Sequence, residues 1–587
     1  MTKKILGTLA YVLTQSYLWA FLLVWTLLHE SNFEPNLILG NLVCSAILVL
    51  IFLLITNKPS FSIFLTLILC TLLDFATDIK AEFLSTVLTF SDLNFLFHIH
   101  ELAGEELISS YMTTSFLLYS IANIFVVIFI FIKSPILFCK KKCSTNLFTR
   151  ILMLIAASSI YYGVPTLIKN ENNYFHIWLA GTKTKHISEC QKSYTQQNLD
   201  RVICYSMGSF LDIASSMADT KLKGIELSTT SDLIKNEIAK IDPYNSNSEL
   251  PNVILILNES TYNPSYMDYE FAKKLKFDFF DDTKYLKGKG ILKVHTFGGG
   301  SSLSEFPSVT GIIHDVFTGP TSYPFINMPP ITKYSIFRSL KKAGYYSIVI
   351  YPIDKRFVNA ETAFKELGAD KVVSIEDYNF KPKNWRDVPE KILAKMIEGE
   401  IQKAPEGMPV FVSVATMRNH GPHNTNIKTD IAGCKDTFSK KTCSKFNDYI
   451  ERLKLTSQDW MEYTNKIMAR TKKTVMINFG DHLPSFEGEM GEIKFKYDDI
   501  NEQDIYRTFY NVRANFDIKD YSYPVLDISY LPSLILDIIG KNDSEFYRSS
   551  SLIRDKCNGL LLDCKQDNML LESFKALMIE QVDVTKQ

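Results

Sequence analysis

Long apolar stretches fill the first part of the chain, and short ones separated by amphipathic segments fill the rest. Five stretches before about residue 170 are long enough to cross the ~30 Å hydrocarbon layer of a bilayer as helices. They are residues 5–28, 37–55, 61–77, 111–132 and 147–168. The pattern predicts an N-terminal transmembrane α-helical bundle of about five spans, residues 1–168.

The basic residues beside these stretches predict an orientation. Lys3 and Lys4 precede the first stretch, Lys58 follows the second and residues 140–142 are all Lys, whereas the loop 29–36 has neither Lys nor Arg. Positive charge favours the cytoplasmic side. We therefore expect a multi-pass protein of a bacterial inner (cytoplasmic) membrane, with everything after residue 168 in the periplasm or outside.

Two segments beside the spans differ from them in pattern. Residues 78–110 mix Leu and Phe at helical spacing with polar residues. Such a segment lies in the membrane interface, or it packs against the spans or the exported domain. Residues 169–250 are polar and helix-prone, which predicts a helical periplasmic linker.

After Pro251 the pattern becomes that of an α/β domain. The apolar runs NVILIL, YYSIVIY, PVFVSVA and TVMINF alternate with amphipathic stretches such as SIFRSLKKAG. This alternation is typical of a mainly parallel central sheet covered by helices on both faces. We assign residues 251–540 to this domain and residues 541–587 to a C-terminal tail.

Charge and cysteine usage narrow the function classes. The formal net charge of -1 over 587 residues gives no global charge bias that would recruit nucleic acid. Six cysteines of the exported part form close pairs, which an oxidising compartment permits as disulfides. The predicted disulfides are Cys190 with Cys204, Cys434 with Cys443, and Cys557 with Cys564. Metal binding by these cysteines is the alternative, but no CxxC spacing supports it.

Chemically active side chains follow four separate segments of the exported domain. Glu259 follows NVILILN, Ser301 lies in TFGGGSSLSEF, His420 follows PVFVSVATMRN, and Asp481 with His482 follow TVMINFG. In an open α/β sheet, ligands bind beyond the carboxyl ends of the strands. We therefore expect these residues to converge.

Ser301 is the candidate nucleophile of this set. Three glycines permit a tight turn, and the following residues begin a helix whose amide groups create a positive field. A cation bound to the same hydroxyl would lower its pKa. A glycine turn with a serine N-cap is the alternative for this segment taken alone.

The remaining residues of the set complete a candidate metal site. Glu259, Ser301, Asp481 and His482 supply the mixed oxygen and nitrogen ligands that suit one divalent ion, Zn²⁺ or Mn²⁺. His420 is a candidate for proton transfer or substrate contact, since imidazole titrates near neutrality. The competing interpretation is a second metal site near His420, or a helix or turn cap.

The four motifs ESTY, GGGSSLSEF, TMRNHGP and FGDHLP together resemble the alkaline phosphatase and sulfatase superfamily. Within it, they are similar to the membrane-anchored phospho-alcohol transferases, namely lipoteichoic acid synthase-like phosphoglycerol transferases and phosphoethanolamine transferases. The resemblance implies a metal held by Glu259, Ser301, Asp481 and His482. It also implies that Ser301, in the place of the family's threonine, carries a covalent phospho-alcohol intermediate.

Other residues are weaker candidates. Ser302 is an alternative nucleophile. The phosphoglycerol branch has a Trp and an Arg where this chain has Val358 and Ala360, so the head group stays open between phosphoglycerol and phosphoethanolamine. Residues that could contact the substrate are Ser302, Asn359, Trp385, Arg386 and His423.

The sequence therefore predicts a metal-dependent transfer of a phospho-alcohol group from a membrane phospholipid to a cell-envelope glycan or lipid. Two alternatives remain open at this point. One is a hydrolase, either a phosphodiesterase or a sulfatase. The other is a metal-free membrane regulator with the same fold. The sequence does not predict the oligomeric state.

Overall fold

A computed structural model of the chain describes residues 20–24, 26, 35–56, 58–84, 89, 209–218 and 222–583. The last range has gaps at 242–243, 246–248, 319–322, 329–330, 357–358, 384–385, 487–488, 498–503, 563 and 565. The chain divides into two compact units, Met1–Thr220 and Lys221–Gln587. Trp385, Cys190, Cys204 and the predicted spans 111–132 and 147–168 lie outside the described residues, as does most of 5–28 and of 78–110.

Three helices are described in the first unit: α1 (Pro35–Thr56), α2 (Pro59–Leu84) and α3 (Ser209–Ala218). Helix α1 contains the stretch Leu37–Thr56, and among the described residues it alone is long and apolar enough to cross a membrane. Helix α2 runs past the predicted span 61–77, and its apolar part is Pro59–Leu73. A helix at 37–55 is therefore confirmed, and the number of spans stays a prediction.

The second unit contains twelve described strands. They are β1 (Lys223–Gly224), β2 (Tyr244–Asn245), β3 (Asn252–Asn258), β4 (Leu286–Lys293), β5 (Phe317–Thr318), β6 (Tyr346–Tyr351), β7 (Lys371–Ser374), β8 (Val410–Ala415), β9 (Thr474–Gly480), β10 (Arg507–Ala514), β11 (Val525–Asp527) and β12 (Lys541–Asn542).

The helices described in this unit number eleven. They are α4 (Asp232–Ala239), α5 (Asp278–Asp281), α6 (Ser302–Thr310), α7 (Pro324–Asn327), α8 (Ile336–Lys342), α9 (Ala360–Glu366), α10 (Glu390–Lys403), α11 (Lys440–Met468), α12 (Leu531–Ile538), α13 (Glu545–Lys556) and α14 (Asn568–Glu580). Short 3-10 turns lie at Pro264–Tyr266, Ala272–Lys274, His314–Val316, Ile375–Tyr378, Glu489–Glu492 and Ile528–Tyr530.

Eight strands form the central sheet, in the order β11-β4-β10-β9-β3-β8-β6-β7. The four apolar runs of the sequence correspond to β3, β6, β8 and β9, which pair in parallel. Strand β10 is the exception, because it runs antiparallel to both β4 and β9. The sheet is therefore mixed, although most of its pairings are parallel as predicted.

The sheet is buried on both faces, as the continuous apolar runs require. In β3 every residue is buried. Val253, Leu255 and Leu257 pack in the hydrophobic cluster on one face, and Ile254 and Ile256 pack in the cluster on the other. Because β3, β4, β8 and β9 run in one direction, their carboxyl ends meet at the same edge of the sheet.

The second unit extends past both ends of the predicted catalytic domain. Strand β1 pairs with β5, and β2 pairs with β12. Leu570 and Phe574 of α14 belong to the same buried cluster as Val253. The boundaries 251 and 540 thus lie inside one packed unit, because the amphipathic helices α13 and α14 bury their apolar faces on the same core.

Two of the predicted disulfides are present. The sulfur atoms of Cys434 and Cys443 are 2.05 Å apart, and those of Cys557 and Cys564 are 2.04 Å apart. Both predictions are confirmed. The alternative of metal binding by these thiols is excluded for the four cysteines, since each sulfur is bonded to another.

Candidate active site

Glu259, Asp481 and His482 come together at the carboxyl edge of the sheet, although more than 200 positions separate the first from the other two. Glu259 follows β3, and Asp481 and His482 follow the neighbouring parallel strand β9. One ligand atom from each lies within 4.8 Å of the others, and all three residues are buried. The convergence predicted for these three residues is therefore present in the fold.

Ser301 joins this cluster through its side chain. Its Oγ donates a 2.8 Å hydrogen bond to Glu259 Oε2 and lies 3.4 Å from His482 Nε2. Ser301 is the N-cap of α6, but its side chain makes no capping hydrogen bond. The Ser301 hydroxyl group therefore hydrogen-bonds to Glu259 and not to the backbone amides at the start of α6. Simple N-capping, the alternative for this segment, does not occur.

Backbone hydrogen bonds hold Asp481 in place and leave one of its oxygens open. Asp481 Oδ1 accepts from the amides of Ser260 at 2.7 Å and of His482 at 2.8 Å. Asp481 Oδ2 is buried, accepts no hydrogen bond from the described residues and lies 3.3 Å from His482 Nε2. A buried carboxylate oxygen without a donor is costly unless a cation is bound to it.

The orientation of His482 fits the same cation. Its Nδ1 donates to Leu483 O at 2.9 Å, which leaves Nε2 with a lone pair directed toward the carboxylates. Nε2 lies 3.5 Å from Glu259 Oε1. Carboxylate oxygens, one hydroxyl and one imidazole nitrogen form a donor set that suits Zn²⁺ and Mn²⁺. The side chains present therefore fit one divalent ion.

Burial and mutual repulsion perturb the acids of the site. Burial raises the pKa of Asp481 well above its usual value, and the adjacent Glu259 carboxylate raises it further. Burial also raises the pKa of Glu259, but the positive charge that His482 and His420 carry when protonated outweighs burial, so the pKa of Glu259 lies below its usual value. Glu259 is therefore the member of this pair that keeps its charge and can accept the hydrogen bond of Ser301.

Glu305 is a further acid of this region that the sequence analysis did not single out. It lies one helical turn after Ser301, in α6, and is buried. Burial, followed by repulsion from Asp481 and Glu259, raises the pKa of Glu305 to about 8. The signal was present in SSLSEF, because residues i and i+4 share one face of a helix.

His420 follows β8 at the same edge of the sheet. Its Nδ1 lies 2.6 Å from Gly421 O, so Nδ1 donates its proton there. The field of His420 contributes to the low pKa of Glu259. His420 thus lies within electrostatic reach of the carboxylate that holds Ser301.

The weaker candidates lie in varied surroundings. Ser302 is the first residue of α6. Asn359 has a left-handed backbone and donates from Nδ2 to Phe325 O at 3.3 Å. Arg386 donates from Nη1 to Pro422 O. The ring of His423 packs against those of Phe486 and Tyr449, with centroids 5.0 and 5.9 Å away.

Comparisons with known proteins show what this chain is similar to. Residues 251–540 match the model of the Sulfatase family. An uncharacterised protein of Haemophilus influenzae is 23% identical over 355 residues, which are 59% of this chain and 64% of the relative. The chain therefore spans less than two thirds of the length of that relative.

The solved structures similar to this one include two transferases. The phosphoglycerol transferase GacH of Streptococcus pyogenes, in complex with sn-glycerol-1-phosphate, is 17% identical with a TM-score of 0.47, and the match covers 60% of this chain and 91% of that one. The integral membrane lipooligosaccharide phosphoethanolamine transferase EptA of Neisseria meningitidis is 11% identical with a TM-score of 0.46, covering 92% and 97%. The family match confirms the family that the four motifs predicted: residues 251–540 are a sulfatase-family domain of the alkaline phosphatase superfamily.

Proposed function

We propose that this protein is a metal-dependent phosphotransferase that moves a phospho-alcohol head group, phosphoglycerol or phosphoethanolamine, from a membrane phospholipid to a cell-envelope glycan or lipid. One observation carries the proposal. Ser301 Oγ donates to Glu259 Oε2 at 2.8 Å, beside Asp481 and His482, instead of capping its helix. A serine hydroxyl that is bonded to a carboxylate and lies among metal ligands is the arrangement of an activated nucleophile.

The first half-reaction would load Ser301. Glu259, Ser301, Asp481 and His482 would hold a divalent ion, which would neutralise charge on the phosphoryl oxygens and lower the pKa of the serine hydroxyl. Ser301 Oγ forms a bond to phosphorus while the bond from phosphorus to the diacylglycerol oxygen breaks in line. The serine proton passes to Glu259 Oε2, and His420 Nε2 in its protonated form gives a proton to the departing oxygen.

The second half-reaction would return the site to its starting state. A hydroxyl of the acceptor attacks the phosphoserine and gives its proton to neutral His420. The bond from phosphorus to Ser301 Oγ breaks, and Oγ recovers the proton that Glu259 held. Each residue therefore ends the cycle in the protonation state in which it began, and the only net change is the transfer of the phospho-alcohol group.

We further propose that the donor is reached from the membrane to which the N-terminal unit anchors the enzyme. Helix α1 supplies an apolar stretch of spanning length. The disulfides of the second unit fit an oxidising compartment, so this unit would lie in the periplasm. Alkaline phosphatase fusions after residues 57 and 220 would test the topology, and an active reporter at 57 together with an inactive one at 220 would refute it.

The direct test is the mass of the loaded enzyme. Full-length protein, loaded with Zn²⁺ or Mn²⁺, is incubated with phosphatidylglycerol or phosphatidylethanolamine, digested and mapped. We expect a head-group adduct on Ser301 from one of the two lipids, and its mass identifies the donor. Ser301→Ala should lose the adduct and all transfer to the acceptor, whereas the matched Ser302→Ala variant should keep both.

The outcomes separate the remaining functions. An adduct on Ser302 would overturn the assignment of the nucleophile. Release of free glycerol phosphate or phosphoethanolamine, without transfer to added glycan or lipid acceptors, would identify a hydrolase. Failure of the wild-type protein to bind either metal or to form any adduct would favour a metal-free regulator.

A further inference from the structure

His420 lies in a short turn between β8 and the disulfide-linked segment before α11. We call residues 418–424 the His420 turn. The His420 amide donates to Met417 O at 3.0 Å, and a cis peptide bond joins Gly421 to Pro422. Among the described residues, no backbone amide of a strand or helix donates to the carbonyl groups of Arg418, His420 and Pro422, and side chains supply the donors instead.

One arginine of α11 supplies donors to all three carbonyl groups, and Arg386 Nη1 also donates to Pro422 O. Arg452 Nη1 donates to His420 O at 2.9 Å and more distantly to Arg418 O at 3.4 Å, and Nη2 approaches Pro422 O at 3.4 Å. A guanidinium group carries five N–H donors in a rigid plane, so a single side chain can serve several acceptors. Arg452 therefore fixes the backbone on both sides of the His420 side chain.

Asp448 completes this contact from the preceding turn of the same helix. It forms an ion pair with Arg452 Nη2, and its Oδ2 accepts from the Asn424 amide at 3.1 Å. The Asp448 and Arg452 side chains are only 13% and 15% exposed. One i,i+4 pair on α11 thus holds the His420 turn through both its carbonyl groups and its amide.

The contacts of Arg452 argue against a direct role in binding an anionic substrate. Its guanidinium group is directed to three backbone carbonyl oxygens and to Asp448, and the pair is largely buried. An arginine that binds phosphate needs N–H donors directed into an open site. Arg452 instead acts on the segment that carries His420.

We infer that Arg452 is a positioning residue that, together with Asp448, holds the imidazole of His420 at the reaction centre. The expected effect on transfer rests on the proposed function, but the contact of Arg452 and Asp448 with the His420 turn is a property of the fold. A catalytic group displaced by about 1 Å can lose on the order of 100-fold in rate. Loss of Arg452 should therefore lower the transfer rate through His420 alone.

The experiment combines a double-mutant cycle with hydrogen exchange on the full-length protein. The variants are Arg452→Met, Arg452→Lys, His420→Gln and the two doubles with His420→Gln. The control is Arg470→Met, which removes an arginine that pairs with Glu398 at 3.0 Å just past the C-terminal end of α11. The measurements are kcat and KM for head-group transfer, and the deuterium uptake of the peptide that covers residues 418–424.

Arg452→Met should lower kcat about 10- to 100-fold with little change in KM, and it should do almost nothing further in the His420→Gln background. The kcat of Arg452→Lys should lie between those of the wild type and Arg452→Met, because an ammonium group cannot donate to three carbonyl groups at once. If Arg452→Met fails to fold, Arg452→Lys still tests whether the guanidinium group positions His420. Uptake in the His420 turn should rise in both Arg452 variants and not in Arg470→Met.

Two results would overturn the inference. One is unchanged deuterium uptake in the turn of the Arg452 variants. The other is a loss of kcat that is just as large without His420 as with it. If the wild-type protein transfers no head group but deuterium uptake rises in the Arg452 variants as expected, Arg452 holds the His420 turn and the proposed function is wrong. The failure of the inference and the failure of the proposed function are therefore distinguishable.

Discussion

Gly480 is the last residue of β9 and directly precedes Asp481. Replacing Gly480 with alanine tests how tightly the fold fixes the positions of Glu259, Asp481 and His482. A Cβ atom at this position would lie 1.9 Å from the carbonyl oxygen of Thr261 and 3.0 Å from Thr508 Cβ. Thr261 belongs to the turn after β3 that carries Glu259 and Ser260. The alanine side chain would therefore clash with the backbone of the turn after β3, which lies against the end of β9.

The size of the effect follows from this overlap. Contacts of Cβ atoms below about 3.0 Å essentially do not occur, so Thr261 O must move by roughly 1 Å. Overpacking of a buried site costs about 1–3 kcal/mol in stability. The same shift displaces Glu259 and the Ser260 amide that donates to Asp481, and misplacement by about 1 Å costs on the order of 100-fold in rate.

The assay compares Gly480→Ala with Gly491→Ala in unfolding temperature, Zn²⁺ or Mn²⁺ affinity and formation of the Ser301 adduct. Gly491 is a matched control, because a Cβ atom there meets nothing within 4 Å. We expect Gly480→Ala to lose stability, metal affinity and adduct formation together, while Gly491→Ala stays close to wild type. Equal behaviour of the two variants would refute the reasoning that backbone contact between the strand ends fixes the cluster.

Two further predictions concern a buried acid and a cross-link. The pKa of Glu305 rises from 4.5 to about 8 on folding, so between these pH values the folded state binds the extra proton and stability falls as pH rises, by up to about 1.4 kcal/mol per pH unit. Glu305→Gln should flatten this dependence in urea titrations of the chelator-treated protein, and an unchanged slope would contradict the assignment. The double change Cys434→Ser with Cys443→Ser should cost roughly 2–3 kcal/mol, since the disulfide closes a short loop. Cys44→Ser, which removes a free thiol, is its control, and equal unfolding midpoints in the two would count against a stabilising cross-link.

The strand-end residues were predictable because one physical rule covers them. Apolar runs of the length of NVILILN and TVMINFG identify buried parallel strands, and parallel strands end at one edge. Glu259, Asp481 and His482 follow such runs directly, so the sequence alone brings them together. Ser301 follows β4, whose sequence LKGKGILK contains Lys and Gly between its apolar residues and does not predict a buried strand. The position of Ser301 was therefore predicted from its motif and not from the strand pattern.

Other features of the fold were not predicted, because the interactions that stabilise them join residues far apart in the sequence. Strand β10, RTFYNVRA, buries Arg507 and Arg513, a composition that favours an exposed segment until the partners of each guanidinium are known. Arg513 donates to Lys284 O, more than 200 residues away. Likewise, Asp448 and Arg452 read as an ordinary surface pair at i,i+4, and only the fold shows that they hold the turn of His420.

The charge of the cluster links the metal, the donor and the acids of this site. Glu259, Asp481 and Glu305 are three buried carboxyl groups within mutual electrostatic influence, and a phosphodiester brings another negative charge. Without a cation, the site would have to hold protons on its acids or repel the donor, and the raised pKa values of Asp481 and Glu305 reflect the first response. A divalent ion held by Glu259 and Asp481 would replace those protons, and the site could then admit an anionic lipid head group. Metal affinity should therefore rise with pH across the range in which Glu305 loses its proton, and titrations of the protein with Zn²⁺ at several pH values would measure this rise.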